Sequence, residues 1–154
     1  MIDLRIEQVT GDFAEQICRD ISANLPEYFG LPEVNEHYAQ GVRSRIAFAA
    51  IVNQQYVGLI SIEFPYPENA NIYWLGVLKN FHSKGIGRNL ITEALNFLTK
   101  NKIKTISVET LSPIEGDKNY LKTYHFYQSI GFLPLFDLKP QGYEWNMVYM
   151  VKFI

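Results

Sequence analysis

Cysteine is almost missing from this chain of 154 residues, which carries only Cys18. A single thiol excludes an internal disulfide framework. Its place on an expected helix face makes it a small core residue rather than a nucleophile. An excess of one charge is missing too. The net charge is −2, with no basic tail or stripe, so nucleic acid is not an expected partner. No run approaches the ~18 apolar residues of a membrane span, so no membrane partner is expected. The opening MIDLRIEQVT has an acid at position 3 and no apolar h-region, so no signal peptide is expected either. His37 and His125 have no carboxylate or cysteine at ligand spacing, so no metal is expected. Repeats, low-complexity tracts and interdomain linkers are absent. With 47% hydrophobic and 19% charged residues, the expectation is one cytoplasmic globular domain, 1–154.

Met1 to Val9 sets Ile2, Leu4 and Ile6 against Asp3, Arg5 and Glu7, the period of two of a half-buried strand. Thr10-Gly11-Asp12 predicts a turn with Asp12 as N-cap. The helix after it places Phe13, Ile17, Ile21 and Leu25 on one face, and Pro26 ends it. An aromatic segment, Glu27 to Pro32, leads into a second helix over Glu33–Gln40. Ile46–Val52 and Tyr56–Phe64 predict a hairpin around Asn53-Gln54-Gln55. A turn at Pro65–Asn69 then leads into a third strand, Asn71–Val77. Beyond a helix come a strand at Lys104–Leu111 and a helix at Asn119–Ile130, stopped by Gly131 in the position of a C′ glycine. Strands over Phe132–Leu138 and Tyr143–Phe153 finish the chain. The order βααβββαβαββ predicts an α/β mixed sheet with helices on both faces. A crossover of ~25 residues makes Asn71–Val77 and Lys104–Leu111 parallel.

The stretch that carries chemistry is Asn71 to Leu95, NIYWLGVLKNFHSKGIGRNLITEAL. A strand feeds a polar loop, and Gly85-Ile86-Gly87-Arg88 opens a helix whose apolar face is Ile86, Leu90, Ile91, Ala94, Leu95 and Leu98. The first N–H groups of a helix have no partner within it, and the dipole there is positive. Glycine lets the backbone approach a phosphate closely. A pyrophosphate cradle is therefore expected. It is not a dinucleotide fingerprint, because the third glycine position is Leu90, nor a Walker A loop, because Gly-Lys-Ser/Thr is missing. A second element, Tyr127-Gln128-Ser129-Ile130-Gly131-Phe132, lies far downstream.

These two elements together resemble the GNAT superfamily of acyl-CoA N-acyltransferases. The family's phosphate loop, Arg/Gln-x-x-Gly-x-Gly/Ala, is matched by His82-Ser83-Lys84-Gly85-Ile86-Gly87. Its Tyr-x-x-x-Gly-Phe is matched by Tyr127 to Phe132. The element order follows the family over nearly the whole chain. Small bacterial members are the closer likeness, through Leu25 to Gly30 and Thr123 to Tyr127.

The resemblance implies a mostly antiparallel sheet with a central, splayed parallel pair, and a transfer of acetyl from acetyl-CoA to a small-molecule or peptide amine. It implies that the backbone of Ser83, Lys84, Gly85, Ile86, Gly87 and Arg88 holds the pyrophosphate, with His82 standing where Arg or Gln is usual. Leu75, Gly76 and Val77 would pair with the pantetheine arm, and one of their N–H groups would polarise the thioester. Asn119 joins the cofactor set. Tyr127 would protonate the departing thiolate, since a phenol keeps its proton at neutral pH. Its helical spacing with Tyr120 and Tyr124 equally suits a packed aromatic. Asn71 stands where many members have a basic Glu. The substitutes are Glu109, Glu63, or a water held by Asn71 and Tyr73. Tyr28, Phe29 and Tyr73 are the acceptor-side candidates, with the hairpin around Tyr143 to Trp145. The C-terminal strands are candidates for pairing in a homodimer. The alternative is a CoA-binding sensor or structural module without turnover.

Overall fold

A computed structural model describes residues 3–154; Ile2 of the first alternating pattern lies outside the described residues. Seven strands form one sheet: β1 (Leu4–Val9), β2 (Ile46–Val52), β3 (Gln55–Tyr66), β4 (Asn69–Val77), β5 (Thr105–Leu111), β6 (Leu133–Leu138) and β7 (Met147–Phe153). Their spatial order is β1-β2-β3-β4-β5-β7-β6. Every neighbouring pair is antiparallel except β4 and β5. The four helices are α1 (Gly11–Asn24), α2 (Pro32–Val42), α3 (Ile86–Lys100) and α4 (Lys118–Ser129). The order of elements is the one expected from the sequence.

Two cores occupy the two faces of the sheet. On one, Ile86, Leu90, Ile91, Ala94 and Leu98 of α3 pack on Ile60, Ile62, Ile72, Ile106 and Val108, with Tyr127 and Phe132 beside them. On the other, Ile17, Cys18 and Ile21 of α1 and Ala39 and Val42 of α2 pack on Ala47, Ala49, Leu59 and Trp74. Each fully buried Leu or Ile contributes roughly 1.5–3 kcal/mol, so these faces fix which way the helices lie. Cys18 is completely buried, and burial pushes its thiol up to about 12. It is an inert core residue.

Several expected boundaries move. Thr10, not Asp12, is the N-cap of α1; Asp12 sits inside the first turn and pairs with Arg43. The buried stripe of α1 centres on Ala14, Ile17, Cys18 and Ile21. Phe13 is half exposed at its edge, its ring against Tyr56 at 4.9 Å. α2 extends two residues past Gln40, because Ala39 and Val42 both find the core. β7 begins at Met147 rather than Tyr143, since Tyr143 to Asn146 have no strand partner. The edge strand β6 exposes Leu133, Leu135, Phe136 and Leu138. Pro134 and an irregularity between Pro134 and Phe136 blunt that edge for further pairing.

The feature that makes a site is the parallel pair. β4 and β5 are in register only over Asn69/Thr105, Ala70/Ile106 and Asn71/Ser107. β4 continues to Val77 against β3, and β5 continues to Leu111 against β7. From Ile72 onward the two strands therefore diverge and leave a wedge. A β-bulge at Tyr73 helps to turn β4: Ile72 pairs with Ile62 and Trp74 with Ser61, so Tyr73 is the extra residue.

Candidate active site

The closed end of the wedge is stitched by side chains. Asn71 Nδ2 donates to Glu63 Oε2 at 3.0 Å, and Ser107 Oγ donates to Asn71 Oδ1 at 2.9 Å. One amide thus ties β3, β4 and β5 where parallel pairing stops, and both of its ends are committed. Arg45 donates to Glu63 Oε1 at 3.3 Å from two of its nitrogens and lies 3.8 Å over the Tyr73 ring. Glu63 is therefore neutralised within the protein.

At the open end of β4, a 3-10 turn over Lys79–Phe81 leads to Ser83 and Gly85, both with positive φ (61° and 79°). Gly85 is the N-cap of α3, and no atom lies within 4 Å of where its Cβ would stand. Conformation alone requires glycine there. The first α3 bond into this turn is Asn89 N–H to Gly85 O, at 3.0 Å. The N–H groups of Ser83, Lys84, Gly85, Ile86, Gly87 and Arg88 have no acceptor among the described residues. Gly87 has a different reason for being glycine: a Cβ there would stand 3.1 Å from Phe126 of α4. Lys84 is exposed, whereas Arg88 donates to Ser129 Oγ at 3.1 Å.

His82 turns inward. Its Nε2–H donates to the Val77 carbonyl at 2.7 Å, and its ring meets Tyr28 edge-on at 6.4 Å. Gly76 has a reason within the fold to lack a side chain. The indole of Trp74 already occupies the space where its Cβ would go, so intramolecular packing explains the glycine. Leu75 and Val77 pack against the α3-side core. Trp74 stacks on Phe29 at 5.2 Å, and its Nε1 is the one buried side-chain polar atom without a partner among the described residues.

α4 forms the far wall. Asp117 caps it by accepting from the Asn119 and Tyr120 N–H groups, both at 3.0 Å. This places half-buried Asn119 at its first turn. Tyr120 Oη donates to the Tyr28 carbonyl at 2.6 Å, pinning the α1–α2 loop against α4. Tyr124 Oη accepts from Gln128, whereas the Tyr127 hydroxyl has no such partner among the described residues. Tyr127 is 4% exposed, wedged between Phe126 and Phe132, and burial pushes its phenol well above the ordinary value. By packing alone it is a core residue.

Glu109 lies on β5 two residues beyond Ser107, on the α1–α2 face, directly opposite Tyr149 of β7. It is half buried and has no ion-pair partner among the described residues. Burial raises its pKa, the Tyr149 phenol lowers it, and Glu63 raises it further. Tyr38 of α2 stands over this face, its ring 5.0 Å from Tyr73. Burial pushes the Tyr38 phenol up to about 12, and Tyr143, Glu109, Tyr73 and Glu63 add to the shift. Tyr38, Arg45, Ser107 and Tyr149 carried no local motif. Alternation along β5 and β7 is the only signal that could have found the last two. No group of three or more His, Cys, Asp or Glu able to hold a metal occurs among the described residues.

A mixed α/β sheet whose one parallel pair splays beside a glycine-opened helix is the frame that carries this candidate site. The sequence profile of the acetyltransferase (GNAT) family matches residues 14–132, and the chain belongs to that family. Solved structures share the fold at low identity. A GNAT-family protein from Desulfovibrio desulfuricans superposes with a TM-score of 0.80 at 15% identity, over 97% of this chain and 98% of that one. The ribosomal-protein-S18-alanine N-acetyltransferase of Escherichia coli gives 0.78 at 15%, over 98% and 94%. An aminoglycoside 6′-N-acetyltransferase complexed with coenzyme A gives 0.74 at 17%, over 97% and 96%. No curated protein sequence matches the chain.

Proposed function

We propose that this acetyltransferase moves an acetyl group from acetyl-CoA to a primary amine of a small molecule or peptide, with both substrates held together and the amine attacking directly. One coincidence carries this proposal. Six consecutive N–H groups without an acceptor among the described residues, at a helix N-terminus, sit at the same end of β4 as an open strand edge. The first suits a pyrophosphate, and the second offers main-chain groups to an amide-bearing arm. The coenzyme A in one structural relative supports the same donor. Acetyl-CoA would supply an acyl thioester to this wedge.

The backbone from Ser83 to Arg88 holds the pyrophosphate, with the Lys84 ammonium beside it. Leu75, Gly76 and Val77 present the open edge, and one of their N–H groups stabilises the oxyanion that develops as the amine attacks. His82 steadies the Val77 carbonyl at the mouth of the wedge. Asn119 flanks the donor from α4. Tyr127 donates the proton that the leaving sulfur takes up, a role its elevated pKa suits because the phenol stays protonated. Glu109 accepts the proton of the attacking ammonium. Its burial raises its pKa toward that task, and it has no ion-pair partner among the described residues. Asn71, committed at both ends, holds the wedge open at its base rather than positioning a water. Tyr28, Phe29 and Tyr73 line the acceptor side.

A thermal-shift comparison of CoA, ATP and NAD tests the donor. Saturating CoA at ~100 times its Kd adds ~2.7 kcal/mol. Stabilisation by ATP or NAD with none by CoA rejects the proposal. Thiol release from acetyl-CoA with a broad amine panel then separates a transferase from a CoA-binding module.

A further inference from the structure

The acceptor side of the wedge is lined by an unusual combination of groups. Glu109 has no cation of its own among the described residues, whereas Glu63 is held by Arg45 and Asn71. Around Glu109 stand aromatic rings rather than hydrogen-bonding amides. Tyr149 faces it across the β5–β7 pair, Phe136 stacks on Tyr149 at 5.2 Å, and Tyr38 and Tyr73 close the α2 side 5.0 Å apart. Arg45 is committed to the Tyr73 ring and to Glu63.

A half-buried carboxylate held by a phenol but without a cation costs free energy that a bound cation would recover. Ring faces attract an ammonium carrying apolar substituents. A second carboxylate brought into the same space meets Glu109 and Glu63 as like charges, with Arg45 already engaged by Glu63. The geometry points to an acceptor that is a primary alkyl or arylalkyl amine with no anionic group next to the nitrogen, bound as its ammonium among Tyr38, Tyr73 and Tyr149 on Glu109. α-Amino acids are excluded by the same arrangement. This inference rests on the acyl-transfer reading for its reaction. Its recognition element is a property of the free protein.

Matched pairs differing only in the carboxylate test it: phenethylamine against phenylalanine, and isoamylamine against leucine, each with acetyl-CoA. The decarboxylated member should be used with kcat/KM about tenfold higher or more, and Glu109→Gln should shrink that ratio as well as the rate. Binding is read separately on the protein without CoA, using choline and its uncharged isostere 3,3-dimethylbutan-1-ol, neither of which has an amine to acetylate. Choline should raise Tm and the alcohol should not. Tyr149→Phe should keep the choline effect, and Tyr149→Leu should lose it. Equal shifts from choline and the alcohol, or equal use of phenylalanine and phenethylamine, overturn the inference. If CoA stabilises the protein but choline does not, this inference fails while the transferase reading stands. If choline stabilises and CoA does not, the reverse holds.

Discussion

Replacing Tyr127 with Phe separates the two ways in which this residue can matter. The ring fills a gap between Phe126 and Phe132 in the main core, and Phe keeps it there. Only the hydroxyl is lost, and no group among the described residues depends on it for a hydrogen bond. The stability change should therefore stay within about 1 kcal/mol, far from the ~3–5 kcal/mol expected for truncation of a buried aromatic to Ala. Catalysis should respond differently. Positioned proton donors contribute roughly 10²–10⁴-fold, so the rate of acetyl transfer should fall by about that range with little change in KM for acetyl-CoA. Single-turnover thiol release, which product release cannot mask, is the assay, paired with a denaturation curve. Burial pushes the Tyr127 phenol upward, so it remains protonated across about pH 6–9 and the deficit should be constant over that span. An unchanged single-turnover rate in a stable Tyr127→Phe protein would refute the acid role and leave Tyr127 a packing residue.

Three further outcomes follow from the same geometry. Gly85→Ala forces a Cβ into φ +79° where space is open, so it should cost about 1 kcal/mol and raise KM for acetyl-CoA more than it lowers kcat. Gly85→Asn should be milder, and an unaltered KM in the Ala variant would argue against the cradle. Leu90→Ala opens a cavity beneath α3 and should cost ~3 kcal/mol, lowering Tm by about 6–12 °C in a thermal scan; a drop of a degree or two would mean that the core collapses there. Glu109→Gln removes a carboxyl whose folded pKa lies above its unfolded one, chiefly because of burial. The contribution of the native Glu109 is full below the unfolded value of ~4.3 and lost as pH rises through the folded value. The variant should thus unfold at higher denaturant than the parent near pH 7 and lose that advantage near pH 4, while acetyl transfer drops. Higher stability at pH 4 only would reverse the sign and disprove the burial argument.

The sequence determined what depends on local chemistry. Hydrophobic period alone places α3, because Ile86, Leu90, Ile91, Ala94 and Leu98 recur on one helix face and are the residues buried there. Glycine at 85 announces the left-handed turn that no Cβ would adopt cheaply. The motifs at Gly85-Ile86-Gly87 and Tyr127 to Phe132 carry the family. Tertiary structure decided what depends on distant partners. That parallel pairing stops after Asn71/Ser107 is set by how β3 and β7 hold the outer edges of β4 and β5, and no residue at the divergence spells it out. Nothing local explains Gly76; the Trp74 indole, two residues away, fills its Cβ space. Asn71 looked like a missing base, and only with Glu63 and Ser107 beside it does it become the stitch at the foot of the wedge. Tyr38 and Tyr149 lie 71 and 40 residues from Glu109 in opposite directions along the chain. Side-chain period reports which face a residue buries, but which faces meet is fixed only when the sheet closes around its cores.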